Sequence, residues 1–392
     1  MPHALTAPAL TPQADTAAPS LALYVHWPWC AKKCPYCDFN SHVRAQIPEP
    51  DWLAAILAEL AYERERTPAH RLTSIFFGGG TPSLMSPASA AAIIETAQGL
   101  WPADAALEIT LEANPNSVEA AKFAGFRAAG VNRVSLGLQA LHDADLKRLG
   151  RLHDVAEGLA ALDIAQATFD RVSFDLIYTR EDQTPEAWQA ELARALAFGT
   201  EHLSLYQLTV EPGTHFATRH ARGDLVLPAE DPAADMFELT REMTAAAGLP
   251  AYETSNFARP QAQSRHNLSY WRYLDYAGVG PGAHGRRTGA ATQRARLPER
   301  WLSAGARPES ERPLPAAERA GEALMMGLRL TEGVGAARFR AQTGTPLAAA
   351  IDADAARRLA AMGLVEHSDD TLRVTPAGAP LLDRILVELI RD

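Results

Sequence analysis

The sequence predicts an α/β fold built on a parallel sheet that stays open rather than closing into a full barrel. Three observations carry this expectation. Short apolar runs alternate with amphipathic stretches from about residue 21 to residue 208, and the alternation passes through six units. The chain has 392 residues, 47% of them hydrophobic, which is enough to fill a large core. Strand–helix alternation also implies right-handed crossovers, which lay the strands parallel. Six units fall short of the eight that close a barrel, so a partial barrel or wound sheet is expected, with ligands gathering at the C-terminal strand ends.

Each element follows from its own pattern. Strands are predicted at residues 21–26, 73–77, 107–112, 133–138, 172–178 and 202–208. Between them, apolar residues recur at spacings of three and four over 51–64, 87–100, 118–129, 155–165 and 184–198, which predicts helices. From residue 211 the alternation weakens and Gly, Pro and Arg become frequent, so 211–312 reads as an extension that covers or lengthens the sheet. Beyond residue 313 a helical pattern returns, clearest at 316–330 and 380–390, with a hairpin signal at 364–366 and 372–374. Helices with a small hairpin predict a winged-helix-like C-terminal domain over 313–392. Its acidic residues Asp352, Asp354, Glu366, Asp369 and Asp370 weigh against DNA binding.

A formal charge of −10 argues more generally against nucleic acid or anionic membranes as partners. The basic run Arg286, Arg287, Arg294, Arg296 and Arg300 reads first as a solvated loop, and as a site for ligand carboxylates in the sharper alternative. Residues 1–20 are rich in Ala, Pro and Thr and have neither a basic n-region nor a continuous apolar core. They read as a disordered tail, with too little apolar surface to offset chain entropy. No apolar stretch reaches the ~18 residues of a spanning helix. The expectation is a soluble, cytoplasmic protein with no membrane span.

The chemistry starts at the cysteines. There are three, all between positions 30 and 37, in the segment YVHWPWCAKKCPYCDFN that follows the first strand. An odd, tight group argues against a disulfide framework and for metal or redox chemistry. A four-iron cluster with full protein ligation takes four thiolates. Three leave one iron open, as substrate binding at iron requires. Three alternatives stay open here. A zinc site would need His26 or His42 as fourth ligand. A dithiol motif at Cys34-Pro-Tyr-Cys37 would leave Cys30 unexplained. The plainest alternative is unligated structural cysteines.

Other residues share the expected ligand face. Glycines in Phe77-Gly78-Gly79-Gly80-Thr81-Pro82 let backbone groups approach a ligand, although an ordinary strand-to-helix turn would look the same. Glu112, Gln139 and Asp175 fall at or near strand ends on the cysteine side. Arg151 suits a ligand carboxylate, while acidic groups suit ribose hydroxyls or an ammonium. A structural Asp175–Arg151 ion pair is the alternative.

Cx3CxxC after a first strand resembles the signature of the radical-SAM superfamily. The wider run YVHWPWCAKKCPYCDFNS is similar to the branch that holds oxygen-independent coproporphyrinogen III oxidases and HemW-type haem chaperones. The resemblance extends from about residue 21 to near the C-terminus. It implies a partial (β/α)6 barrel over 21–210, a [4Fe-4S] cluster on Cys30, Cys34 and Cys37, and S-adenosylmethionine (SAM) at the open iron. Tyr24 and Tyr36 resemble residues that border SAM, and Gly79, Gly80 and Thr81 match the loop at its methionine end. Glu112, Gln139, Arg151 and Asp175 match four further SAM contacts. One segment departs from the family: Thr179-Arg-Glu-Asp182 stands where Gly-Leu-Pro-Gly is usual, giving the rim a more charged loop.

Two features separate the branches. The oxidases carry a fourth cysteine two residues after the third, where this chain has Phe39. The run Arg265-His266-Asn267-Leu-Ser-Tyr270-Trp271 matches the HNxxYW motif of the HemW type, and Gly278-Val-Gly-Pro-Gly-Ala-His284-Gly fits the same branch. The resemblance implies haem bound through His266, Asn267, Tyr270 and Trp271, with Arg286 and Arg287 available to propionates. A histidine beside aromatics also fits simple packing. The expected function is a haem chaperone that passes haem to an acceptor protein, with a reductant for the cluster as a second partner. The alternatives are an oxidase, in which SAM yields a 5′-deoxyadenosyl radical that decarboxylates coproporphyrinogen III, and a radical enzyme on another substrate.

Overall fold

The computed structural model describes residues 18–390, so most of the expected tail lies outside the described residues. The strands of the main sheet are β1 (Ser20–Trp27), β2 (Arg71–Gly79), β3 (Ala103–Ala113), β4 (Arg133–Gln139), β5 (Arg171–Tyr178), β6 (His202–Gln207), β7 (Asn256–Ala258), β8 (Tyr276–Val279), β9 (His284–Arg287), β10 (Ala290–Gln293) and β11 (Ser310–Pro313). They form one 11-stranded sheet in the order β11-β10-β9-β8-β1-β2-β3-β4-β5-β6-β7. From β8 through β1 to β6 the pairing is parallel; the remaining pairs are antiparallel. All six expected strands are present, and the architecture is the expected α/β partial barrel.

Crossover helices α1 (Glu49–Arg66), α2 (Pro87–Leu100), α3 (Val155–Thr168) and α4 (Pro185–Leu196) start where the sequence supplies caps. Ser86 accepts from the Ser89 N–H, Asp154 from Glu157 and Thr184 from Ala187, with Pro87 and Pro185 opening their helices. Their apolar faces pack on the sheet in one core that includes Trp52, Ile93, Leu162 and Trp188.

Two expectations are corrected. The helix expected over 118–129 is two short ones, Ser117–Ala120 and Phe123–Ala128. The chain breaks at Lys122, whose ammonium donates to the Ser83, Leu84 and Met85 carbonyls. The extension lengthens the sheet, one of its two expected roles, by a seventh parallel strand, β8, beside β1, with Ala22 opposite Tyr276. The second correction is to the basic run, which is solvated only at Arg296 and Arg300. Arg287 and Arg294 are 1% exposed and lie on or beside β9 and β10, paired with the equally buried Glu63 of α1.

The C-terminal region has its own core. Helices α5 (Ala316–Gly327) and α6 (Leu382–Leu389) pack with a three-stranded sheet of β12 (Val334–Gly335), β13 (Val365–His367) and β14 (Thr371–Val374). Leu324, Phe339, Leu372 and Leu389 form its centre, joined by Tyr273 from the extension. This is the expected helical region with a small β wing. Among the described residues no helix is long and apolar enough to cross a membrane.

Candidate functional site

The sheet's register places the chemistry at one end. His26 and Trp27 of β1 lie opposite Gly78 and Gly79 of β2, so the cysteine loop and the glycine loop leave the sheet side by side. The cysteine loop is then anchored: Asn40 Nδ2 donates to the Pro281 and Arg296 carbonyls, each at 2.9 Å, and the Asn40 carbonyl sits 2.9 Å from His26 Nε2. All three thiols are free and half-buried. Thr81 Oγ1 lies 3.5 Å from Cys30 Sγ, and Arg151 Nη1 lies 3.6 Å from Cys34 Sγ. Burial pushes the Cys30 and Cys37 thiols up, so metal loading must displace protons.

A single zinc ion does not suit this arrangement. Both ring nitrogens of His26 are engaged, by the Asn40 carbonyl and by Tyr24 Oη at 3.0 Å. Among the described residues no group of three His, Cys, Asp or Glu is placed to hold one metal ion. Three free thiols on one loop, facing an arginine, do suit a cluster whose irons each take a different cysteine.

Ten of the expected residues besides Cys30 line one pocket of about 160 Å³. Cys34, Tyr36, Cys37, Gly79, Gly80 and Thr81 form one wall, and Glu112, Gln139, Arg151 and Asp175 the other. Gly79 has φ +110° and a Cβ there would strike the His26 ring, while a Cβ on Gly80 would come within 2.7 Å of the Trp29 carbonyl. Only glycine fits this cradle. Gln139 ends β4 at φ +70°, a left-handed conformation that sequence patterns do not reveal.

Arg151 is tied to Asn114 Oδ1 at 2.6 Å and the Gly137 carbonyl at 2.9 Å, so the Asp175–Arg151 structural pair does not form. Its Nε is buried without a partner, leaving a donor for a ligand. Asp175 accepts from Ser135 Oγ at 3.2 Å. Burial pushes Glu112 up to about 8, with the Asp175 charge adding to it and the Gly79 N–H and Arg133 opposing. Burial likewise lifts Asp175 to about 6 against hydrogen bonds from Ser204 and Ser135. Two recessed carboxylates with raised values are set to receive an ammonium or hydroxyls.

A pH dependence follows. Glu112 holds its proton below about 8, and that proton must leave before the carboxylate can pair with a ligand cation. The pocket's affinity for SAM, measured by equilibrium dialysis, is expected to rise between roughly pH 6 and pH 9, on either side of that value. Glu112→Gln should weaken binding and flatten the profile; a pH-independent wild type would remove Glu112 from the site.

Two placements differ from expectation. Tyr24 lines the neighbouring cavity rather than this pocket. The charged Thr179–Asp182 loop turns away from the rim: Arg180 is buried and pairs with Glu191 at 2.6 Å and Asp145 at 3.1 Å, and the loop does not line the three-cysteine pocket.

That neighbouring cavity, of about 890 Å³, shares Phe39, Gly79 and Glu112 with the pocket. Tyr270, Trp271 and Tyr276 give it aromatic walls, and Met325 and Met326 of α5 close it from the C-terminal region. His266, expected as a haem ligand, is placed behind this cavity. The side chain is 0% exposed, with Nδ1 2.9 Å from Ser74 Oγ and Nε2 2.7 Å from Tyr270 Oη. Both nitrogens are taken, so His266 orients Tyr270 and offers no lone pair to the cavity. Asn267 does not line the cavity, and its N–H is capped by Ser264. Arg287 is committed to Glu63, and Arg286, though on the wall, donates to the Tyr273 and Leu274 carbonyls. Arg296, from the basic run read as a possible site for ligand carboxylates, lines the cavity, and so does Met325, which no local pattern marks.

A cysteine loop with Cx3CxxC spacing at the end of β1, beside a glycine loop on a partial barrel, defines a protein of the radical-SAM class. Residues 24–194 match the Radical SAM superfamily and residues 314–381 the HemN C-terminal domain. The chain is 40% identical over 333 residues to the heme chaperone HemW of Escherichia coli K12, covering 83% of this chain and 87% of that protein. It is 39% identical over 398 residues to the mitochondrial radical S-adenosyl methionine domain-containing protein 1 of Mus musculus, covering 97% and 89%. The structure of the E. coli coproporphyrinogen III oxidase HemN superposes with a TM-score of 0.79 at 23% identity, over 95% of this chain and 90% of that one, a likeness of fold. The chain belongs to the HemW-type family of radical-SAM proteins.

Proposed function

We propose that the protein is a haem chaperone, which binds a [4Fe-4S] cluster, SAM and haem and hands haem to an acceptor protein. The observation that carries this reading is the aromatic cavity of about 890 Å³ that adjoins the three-cysteine pocket and shares Phe39, Gly79 and Glu112 with it. Its size falls in the range of small-molecule sites, roughly 300–1,000 Å³. Cys30, Cys34 and Cys37 would hold the cluster, which when bound supplies an open iron for SAM and an electron from an external reductant. Arg151 would orient the SAM carboxylate through its unpartnered Nε. Glu112 and Asp175 would hold the ammonium and ribose, and the Gly79–Gly80 backbone would meet the methionine end. Tyr270, Trp271 and Tyr276 would flank a porphyrin face.

The test against the oxidase reading is direct. The protein is reconstituted anaerobically, reduced, and given SAM and coproporphyrinogen III, with a working oxidase alongside. Mass spectrometry is expected to find protoporphyrinogen IX only with the oxidase. Its formation by this protein would overturn a chaperone-only function.

A further inference from the structure

The haem reading leaves open which side chain meets the iron, and the cavity allows an accounting of its imidazoles. Two histidines line it, His26 and His284. Tyr24 and the Asn40 carbonyl occupy both ring nitrogens of His26, and His266 lies behind Tyr270 with both of its own engaged. His284 differs from both. It opens β9, its side chain is exposed into the cavity, and among the described residues no side-chain hydrogen bond reaches its ring.

We propose that His284 is the axial ligand of the bound haem and that Arg296 meets one of its propionates; this rests on the haem-chaperone reading above. Imidazole nitrogen is among the commonest haem-iron ligands, and it binds as the neutral base, donating a lone pair and displacing water with no change in iron oxidation state. The backbone of His284 is held in place by the β9–β10 ladder, where it lies opposite Gln293. It is also pressed against Gly278, where any Cβ would collide with the His284 carbonyl. Arg296 is exposed at the same cavity and, among the described residues, has no ion-pair partner, unlike Arg287 and Arg294, and no hydrogen bond from its guanidinium to a carbonyl of the kind that holds Arg286. A rigidly held imidazole and an unpaired guanidinium on one wall suit an iron porphyrin bearing carboxylates better than an apolar ligand.

The experiment adds ferric haem to the reconstituted full-length protein and follows the Soret band and electron paramagnetic resonance. Wild type should give an imidazole-ligated spectrum. His284→Ala should lose that signature and bind haem at least about tenfold more weakly, and free imidazole should restore the spectrum. His266→Ala should keep the signature, and Arg296→Gln should weaken haem but not its dimethyl ester. Cluster absorbance, unchanged in every variant, reports folding. A wild-type signature and affinity in His284→Ala, or loss of the signature in His266→Ala alone, would overturn the ligand assignment. A wild type that binds no haem would instead sink the chaperone reading beneath it.

Discussion

Replacing Cys30, Cys34 or Cys37 with serine is expected to leave the protein colourless after anaerobic reconstitution. The reason lies in ligand number. The loop presents three thiols, His26 is committed at both nitrogens, and among the described residues no group of three His, Cys, Asp or Glu side chains is placed to hold a metal ion in their stead. Each substitution therefore leaves two thiolates for a cluster that already has one open iron. Folding should be unaffected. The thiols are only half-buried, and the loop is fastened by Asn40 to the Pro281 and Arg296 carbonyls rather than by the sulfur atoms. Far-ultraviolet circular dichroism is expected to match wild type while absorbance near 400 nm, about the cluster's usual region, falls to background. Brown colour surviving all three substitutions would end the cluster assignment. Survival in Cys30→Ser alone would return the dithiol reading of Cys34 and Cys37.

A second large effect is expected far from the cysteines. Arg294 pairs with Glu63 at 2.6 Å and Glu59 at 3.2 Å, all three at 1% side-chain exposure. Glu59 also accepts from Trp301 Nε1 at 2.8 Å and from the Gly280 N–H at 2.7 Å. Removing one partner of a buried network costs about 3–5 kcal/mol, because the remaining charges stay desolvated. Arg294→Met should therefore lower Tm by roughly 6–20 °C, at about 2–4 °C per kcal/mol for a chain of this order of size.

The pH dependence has a definite sign. Burial lifts Glu59 to about 7, against the pull of Arg294, Gly280 and Trp301. A carboxyl raised above its unfolded value contributes its full stability at low pH and loses it as pH rises through the folded value. Without Arg294 that value rises further, so the variant's deficit should grow between pH 5 and pH 8, roughly the span on either side of it. A calorimetric scan showing an equal deficit at both would contradict the account. Because the network ties α1 to β9 and β10, haem affinity should fall with Tm.

What could be read from the sequence was local. The cysteine spacing, the glycine loop and the six strands are each encoded within a few residues, and each stands where it was expected. Distant partners were not legible. Arg287 and Arg294 looked solvated because Glu59 and Glu63, which bury them, lie more than 220 residues away in the chain. Strand β8 has four residues inside a Gly-rich stretch and carries no alternation long enough to register. His266 sits in a motif that suggests ligation, yet whether an imidazole faces a cavity or Ser74 depends on how the extension folds back over β2. Gln139 pairs with β5 only after a register shift, and its positive φ follows from that irregularity.

The central claim is haem delivery, and transfer tests it most directly. The reconstituted protein, loaded with one equivalent of haem and freed of excess, is mixed with an apo-haemoprotein, and the two are separated and assayed for haem. Haem is expected to move to the acceptor faster than from a non-specific carrier such as albumin, and His284→Ala to hold too little haem to transfer. Haem that stays with the protein, or leaves no faster than from albumin, would contradict that claim.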